Sequence, residues 1–556
     1  MIRTIALILL ALALPTHAAQ ALSSYRWGHR FGDTGFDNGY SVAVDAASNV
    51  YVTGWFEGTV DFGGGNLVSA GSDDIFLAKF NKDGVHQWSY RFGDVGSDQG
   101  ASVALDASAN VFLTGYFTGT VDFGGAPLTS VSDDAFLAKF DTDGNHLWSK
   151  NFAGPGNEYG NGVAVDGSGN PVIAGTFDNT ISFGTGPFPT NGGADVFVAG
   201  FDAAGGYLWS KRWGGAGYEQ PFGVAVDSQG AVVVTGEFQG AADFGSFNQG
   251  DLISNGEDDV FVAKHIPGFI TLTDTFGGIG ADFGLGVAID ASDNIVITGS
   301  FQNQLNFHGQ GHASHGSNDI FLAEYDPQLA PVWSKWVGGT GNDQGAGIAT
   351  DPAGQVIVTG WCQGSVDLGG GIFASISAYD DAFVARYDAT GAYVISRHFG
   401  GSGPDSAGGY GIAADGTDAL VVTGAFFGTV DFGGGALVSA GADDVFVAKY
   451  GADLAAPVLS TPGAQTLSIS SFPNPFNPRT MLTYTVPSRG AVNVSIFDTR
   501  GARVATLVRN ETREAGAYQV GWDGRDDNGA VVSSGVYFAR IEHAGATSVR
   551  KVVLLK

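Results

Sequence analysis

Apolar and polar positions along most of this chain alternate with period two, or run continuously apolar, over short stretches. Gly, Asn and Asp separate them. That pattern predicts strands joined by tight turns. In the first repeat unit the runs are Ser41–Asp45, Val50–Phe56 (continuing through Val60–Phe62), Asp74–Phe80 and Gln87–Phe92. Connections such as Lys82-Asp83-Gly84 and Thr142-Asp143-Gly144 supply the positive φ that hairpins need. No helical period of useful length occurs.

The runs repeat. A Val-Thr-Gly-type second strand places Gly at 54, 115, 175, 236, 299, 360 and 424, and an Asp opens the third strand at 74, 134, 195, 259, 319, 381 and 444. Four strands per unit and seven units predict an all-β, seven-bladed β-propeller. Tyr25–Phe31 reads as a fourth-type strand without its first three, and the last unit lacks a fourth strand. The N-terminal strand is therefore expected to close the ring as the outer strand of the seventh blade, removing two exposed edges.

The ends differ from the middle. Arg3, the apolar run Ile5–Leu14 and the small residues Ala18, Ala19 and Ala21 read as a signal peptide over residues 1–21. The propeller takes 22–452. A Pro-, Thr- and Ser-containing linker takes 453–469, and a small Ig-like β-sandwich takes 470–556. No later stretch reaches the roughly 18 apolar residues of a membrane span. The mature chain is expected to be secreted or at the cell surface, by Gram-negative-type export, and monomeric.

Composition narrows the function. The chain carries 26 Lys+Arg and 56 Asp+Glu, a net charge of −30, which argues against a nucleic-acid partner. Residues 470–556 carry 11 Lys+Arg and 7 Asp+Glu, so the acidity belongs to the propeller. Gly supplies 88 of 556 residues without a collagen period. Cys362 is the single cysteine, so no internal disulfide forms. It reads as a small buried residue.

The repeats, with words such as Val52-Thr-Gly-Trp-Phe-Glu-Gly-Thr-Val-Asp-Phe-Gly-Gly, resemble bacterial β-propeller repeats of the SBBP type. In the tail, Phe472-Pro-Asn-Pro-Phe-Asn-Pro478, Ile496-Phe-Asp-Thr-Arg-Gly501, Trp522-Asp-Gly-Arg-Asp-Asp-Asn-Gly529 and Ser534-Gly-Val-Tyr-Phe538 resemble two related families. These are the type A C-terminal sorting domain of type IX secretion and the Ig-like domain of the flagellar hook-capping protein. The first resemblance implies a secretion translocon as partner and surface attachment or release. An Ig-like spacer is the plainer reading. The Asp141–Trp148 and Asp202–Trp209 runs are loosely similar to quinoprotein dehydrogenase repeats, which imply eight blades where seven units occur.

Candidate chemistry is sparse. Asp37, Asp98, Glu158, Glu219, Asp282, Asp343 and Asp405 follow a Gly-x motif before each first strand. They are expected to ring one mouth of the central channel, where oxygen ligands would suit Ca²⁺, or else to bond turn N–H groups. Asp-Asp pairs such as Asp73-Asp74 and Asp258-Asp259 should point to opposite faces. His308, His312 and His315 make the fifth unit distinctive and could ligate zinc, though the intervening glycines favour a solvated loop. Trp88, Trp148, Trp209 and Trp333 should pack between blades. No nucleophile elbow, phosphate loop or other catalytic or cofactor motif occurs. The expected function is a non-catalytic binding or adhesion module for a carbohydrate or protein ligand. It would present the long connections Glu57–Ser72 and Asp178–Ala194, with Phe188 and Phe247 exposed on such surfaces. The alternatives are a polysaccharide hydrolase or lyase using the channel-mouth acids, and a structural surface component.

Overall fold

The computed structural model describes residues 25–555 except 185, 248–249, 375–378, 401–404, 417–418, 452–466, 473–479, 487, 514–515, 528 and 545. The expected signal peptide, most of the linker and the Pro-Asn-Pro motif after Phe472 lie outside the described residues. The chain divides into two compact units, residues 1–453 and 454–556. Every described element is a strand or turn.

The larger unit has a β-propeller fold. Its repeating element is a four-stranded antiparallel sheet in sequential order, represented by Asp37–Val44, Val50–Phe56, Asp74–Phe80 and His86–Phe92. The last such sheet is completed by Tyr25–Phe31, which pairs antiparallel with Asp444–Tyr450. First strands of successive units neighbour one another, and the first strand of the last unit, Ser406–Ala414, neighbours Asp37–Val44.

Burial explains the sequence pattern. Third strands such as Asp74–Phe80 are buried along their whole length, and second strands nearly so, so both read as continuous apolar runs. Alternation sends their side chains to two different neighbours. Val50, Val52 and Phe76 pack with Val421, Val445 and Val447 of the last unit. Tyr51, Ile75 and Leu77 pack with Val111, Leu113 and Phe136 of the next. Burying these side chains contributes roughly 25 cal/mol per Å² of apolar surface.

Two details differ from expectation. The first strand of the first unit begins at Asp37, four residues before Ser41, because a bulge between Gly39 and Ser41 interrupts the alternation. The segment Val60–Phe62 does not continue the second strand. It belongs to a separate small hairpin, Thr59–Asp61 with Asn66–Val68. In the fourth and fifth units the long strands do run through, as in Val232–Asp243 with Leu252–His265.

The smaller unit is a sandwich of two antiparallel sheets. One orders Ser468–Phe472, Thr480–Val486 and Gly516–Trp522. The other orders Arg503–Arg513, Gly490–Phe497, Gly535–His543 and Ala546–Leu554. Leu482, Val494, Ile496, Trp522 and Ile541 are among the residues of its core.

Candidate functional site

The repeated acids sit inside the junctions between units. Asp37, Asp98, Glu158, Glu219, Asp282 and Asp343 are fully buried, and Asp405 is 2% exposed, so none lines an open mouth. The reason is local. In the six fully buried cases the carboxylate accepts the N–H of the residue four positions earlier, as from Asp33 to Asp37 at 3.1 Å and from Gly339 to Asp343 at 2.7 Å. Asp98, Asp282 and Asp343 also accept the N–H of Thr118, Gln302 and Gln363, each three residues after the repeat Gly of its own unit. These bonds fix the entry of the chain into each unit.

Each of the six fully buried acids faces a second one across the junction. A Cβ on Gly32 would lie 2.5 Å from Asp37 Oδ2 and 2.6 Å from Asp444 Oδ1; one on Gly214 would lie 2.6 Å from both Asp195 Oδ1 and Glu219 Oε2. The third-strand partner is held by cations in some units, Arg30 on Asp444 and Arg91 on Asp74. Burial, opposed by the N–H bonds and reinforced by the facing carboxylate, pushes Asp37 up to about 8 and Asp98 to about 7. Burial, then the Asp134 charge, pushes Glu158 to about 9. Two carboxyls sharing a dry site cannot both ionise cheaply, so such a pair retains a proton near neutrality. Asp405 departs from the set. Gly409 opposes Gly424 as Gly39 opposes Gly54, so Ala407 occupies the acid's ladder position and Asp405 lies two residues before it.

The three histidines do not converge. His308 Nε2 is 2.7 Å from Asp274 Oδ2, His312 stacks on Trp336 with ring centroids 3.4 Å apart, and His315 Nδ1 is 3.3 Å from Asp319 Oδ2. His312 and His315 lie on the strand Gln310–Tyr325, not in a loop. Among the described residues, no group of three or more His, Cys, Asp or Glu side chains is placed to hold a metal ion. Cys362 is buried, and burial holds its thiol well above the ordinary range.

A different set lies near a cavity between the first strands. A cavity of about 180 Å³ is lined by residues from the first strands of all seven units, among them Tyr40, Asn161, Phe222 and Tyr410. Tyr40 and Tyr410 meet edge-on at 5.7 Å, and Tyr410 also meets Trp361 at 5.9 Å. At this end of the strands the residue after each repeat Gly of the second strand is Trp55, Tyr116, Thr176, Glu237, Ser300, Trp361 or Ala425. Asp73, Asp133, Asp258, Asp380 and Asp443 each directly precede the repeat Asp of the third strand.

These side chains form a network. Asp73 accepts from Ser97 Oγ at 3.1 Å and Gln99 Nε2 at 2.5 Å, and Asp133 accepts from Tyr159 Oη at 2.8 Å and Thr118 Oγ1 at 2.5 Å. Tyr116 and Tyr159 meet at 5.0 Å. As expected for alternation, Asp73 joins this network while Asp74 turns into the junction. Burial, then the Asp258 charge, pushes the Glu237 carboxyl up to about 8. The sequence carries a signal for this set: once the units are aligned on the repeat Gly, the next position holds six residue types in seven units.

Residues 480–546 match the FlgD Ig-like domain family, so the C-terminal unit carries a FlgD Ig-like domain. An uncharacterized WD repeat-containing protein of Acanthamoeba polyphaga mimivirus is 22% identical over 80% of this chain and 39% of its own length. The regulatory protein FlaEY of Caulobacter vibrioides is 28% identical over 27% of this chain and 15% of its own. The chain thus spans less than two-fifths of the length of either relative. Among solved structures, an ulvan lyase of a polysaccharide-lyase family aligns with 71% of this chain and 92% of its own, at 12% identity and a TM-score of 0.40. The quinohemoprotein alcohol dehydrogenase of Comamonas testosteroni aligns over 80% and 78%, at 8% identity and a TM-score of 0.30.

Proposed function

We propose that this chain is an exported binding protein: a closed seven-bladed β-propeller that takes a carbohydrate at the channel mouth. The observation that carries this reading is the contrast between junction and mouth. At the junctions six units share an acid in one ladder position. After the repeat Gly the units differ: Trp55, Tyr116 and Trp361 are half-buried, while Thr176, Glu237, Ser300 and Ala425 are buried. Aromatic faces with carboxylate and amide partners stack on sugar rings and bond their hydroxyls. Ring closure is supported by the pairing of Tyr25–Phe31 with Asp444–Tyr450 and by the cavity lined from all seven first strands. The N-terminal apolar segment supports export. The motifs of the tail support a sorting role through a translocon, with the Ig-like domain as carrier. A reporter fused to residues 470–556 tests that role in a host with type IX secretion; retention in the periplasm removes it.

Titration of a panel of soluble polysaccharides tests the mouth. The expected result is saturable binding weakened at least tenfold by Trp55→Ala or Trp361→Ala, with the fold intact by circular dichroism. Binding unaffected by either change, or no binding to any glycan, overturns the assignment. A lyase or hydrolase is the second reading, and Glu237 favours it. A carboxyl pushed up to about 8 beside Asp258 keeps its proton at neutral pH and is an acid poised to donate. New reducing ends, abolished by Glu237→Gln, would establish that reading.

A further inference from the structure

At the opposite end of the strands from the channel mouth, the units are stapled by lysines. The penultimate residue of the third strand sends its ammonium to a carbonyl of the next unit and to the Asp of its own first turn. Lys79 Nζ donates to Thr142 O at 2.7 Å and lies 4.9 Å from the centre of the Tyr51 ring. Lys139 Nζ reaches Ala203 O at 3.1 Å and Asp106 Oδ2 at 3.5 Å. Lys264 Nζ reaches Pro327 O at 2.7 Å and Asp227 Oδ2 at 2.8 Å. Lys449 Nζ reaches Ser48 O at 3.4 Å and Asp415 Oδ2 at 3.2 Å. In the sixth unit Arg386 takes the place, facing Asp351 at 3.6 Å. In the fifth, Glu324 replaces the lysine and accepts the Trp333 indole N–H, while Lys335 of the next strand reaches Gly391 O at 3.1 Å.

In the third unit Gly200 stands in the lysine's place, and Lys211, at the strand position of Lys335, is exposed. Gly200 opposes Val172 as Lys79 opposes Tyr51 and Lys139 opposes Phe112. A cavity of about 470 Å³ opens there between the third and fourth units, lined by Asp166, Asn170, Val172, Trp209, Pro267 and Phe269, among others. The receiving groups are retained. Asp166 accepts only N–H groups of its own turn, from Ser168, Asn170 and the Asn170 side chain. Pro267 stands where Ala203 and Thr142 offer their carbonyls. The Trp209 indole lies over Gly200, its Nε1 2.5 Å from where a Cβ would be. Phe269 at the rim is 83% exposed. Behind Trp209, burial and then the Lys211 charge push the His265 imidazole down to about 4.

The geometry points to a lysine-binding pocket: the cavity beside Gly200 takes the side chain of a lysine from a partner polypeptide, its ammonium on Asp166 and its stem against Trp209. The chain's own lysines, seated in the equivalent places, are the template for this ligand. An ammonium approaching an aromatic face and a carboxylate together is favoured on both counts.

Titration of the full chain with Nα-acetyl-lysine N-methylamide, read by Trp fluorescence and calorimetry, tests the pocket. Saturable one-to-one binding is expected, at least tenfold weaker for the norleucine analogue, which lacks the ammonium, and for Asp166→Asn. Gly200→Lys should abolish binding, because the added side chain and the Trp209 indole it displaces then fill the pocket. Lys139→Gly should open a twin site and bring the stoichiometry to two. No saturable binding, equal binding of the norleucine analogue, or undiminished binding by Gly200→Lys overturns the proposal. Glucosamine binding as tightly as the lysine amide overturns the choice of a polypeptide lysine. The pocket lies on the face away from the channel mouth, so failure here leaves the glycan reading standing.

Discussion

Arg30 and Asp444 form an ion pair across 414 residues of sequence, joining the N-terminal strand to the third strand of the last unit. Arg91 and Asp74 make the same contact inside the first unit, 17 residues apart. The N-terminal strand is therefore used as an ordinary fourth strand. Tyr25 packs on Tyr450, Phe31 packs on Phe62 and Phe80, and Trp27 donates to Lys82 O at 3.0 Å.

Arg30→Ala should cost about 1–2 kcal/mol, because a charged hydrogen bond is lost but Asp444 keeps the Ala440 N–H at 3.0 Å. Deleting Tyr25–Phe31 should cost considerably more and broaden the transition, since it strips apolar cover and exposes the edge of Asp444–Tyr450. Urea unfolding followed by Trp fluorescence measures both. An unchanged midpoint for the deletion contradicts closure of the ring through this strand.

The junction carboxyls set a pH dependence. Asp37 and Glu158 are raised to about 8 and about 9, against an ordinary range near 4. Between those values the folded chain holds protons that the unfolded chain has released. Their stabilisation is complete below about pH 4 and is lost as pH rises toward 9. The melting temperature should therefore fall between pH 5 and pH 9. Asp37→Asn and Glu158→Gln, which keep the shape without the ionisation, should each flatten part of that fall. Ca²⁺ in place of the protons gives the reverse signature: added Ca²⁺ would raise the melting temperature at pH 8 and chelation would lower it. Protons alone leave it unchanged by either.

Much of the fold could be read from the chain because its repeat has a steric cause. Gly54, Gly115 and Gly299 recur because the backbone of the first strand passes too close for any side chain, and the register of every unit follows from them. The start at Asp37 was not legible, since the bulge at Gly39 breaks the period on which strand reading depends. The burial of the junction acids was hidden for a similar reason. A Gly-x-acid motif looks the same whether the carboxylate meets water or the N–H four residues back. Asp405 shared the motif but not the ladder position. The mouth residues escaped notice because they have no common type, and Gly200 matters only against the lysines of its sister units.

That steric cause can be measured. A Cβ on Gly54 would lie 1.8 Å from the carbonyl oxygen of Asn38 and 2.9 Å from its carbonyl carbon, backbone atoms of a first strand packed against its neighbours. Neither strand can move without opening a junction, so Gly54→Ala should cost about 3 kcal/mol or more, at the upper end for overpacking. Gly167 is the control, with nothing within 4 Å of its Cβ position and an exposed turn around it. Gly167→Ala should stay within about 0.5 kcal/mol of the parent. Urea midpoints of the two variants decide the matter. Equal midpoints would mean that the first and second strands yield freely. The spacing of the repeat Gly residues would then need another cause than close approach of the backbone.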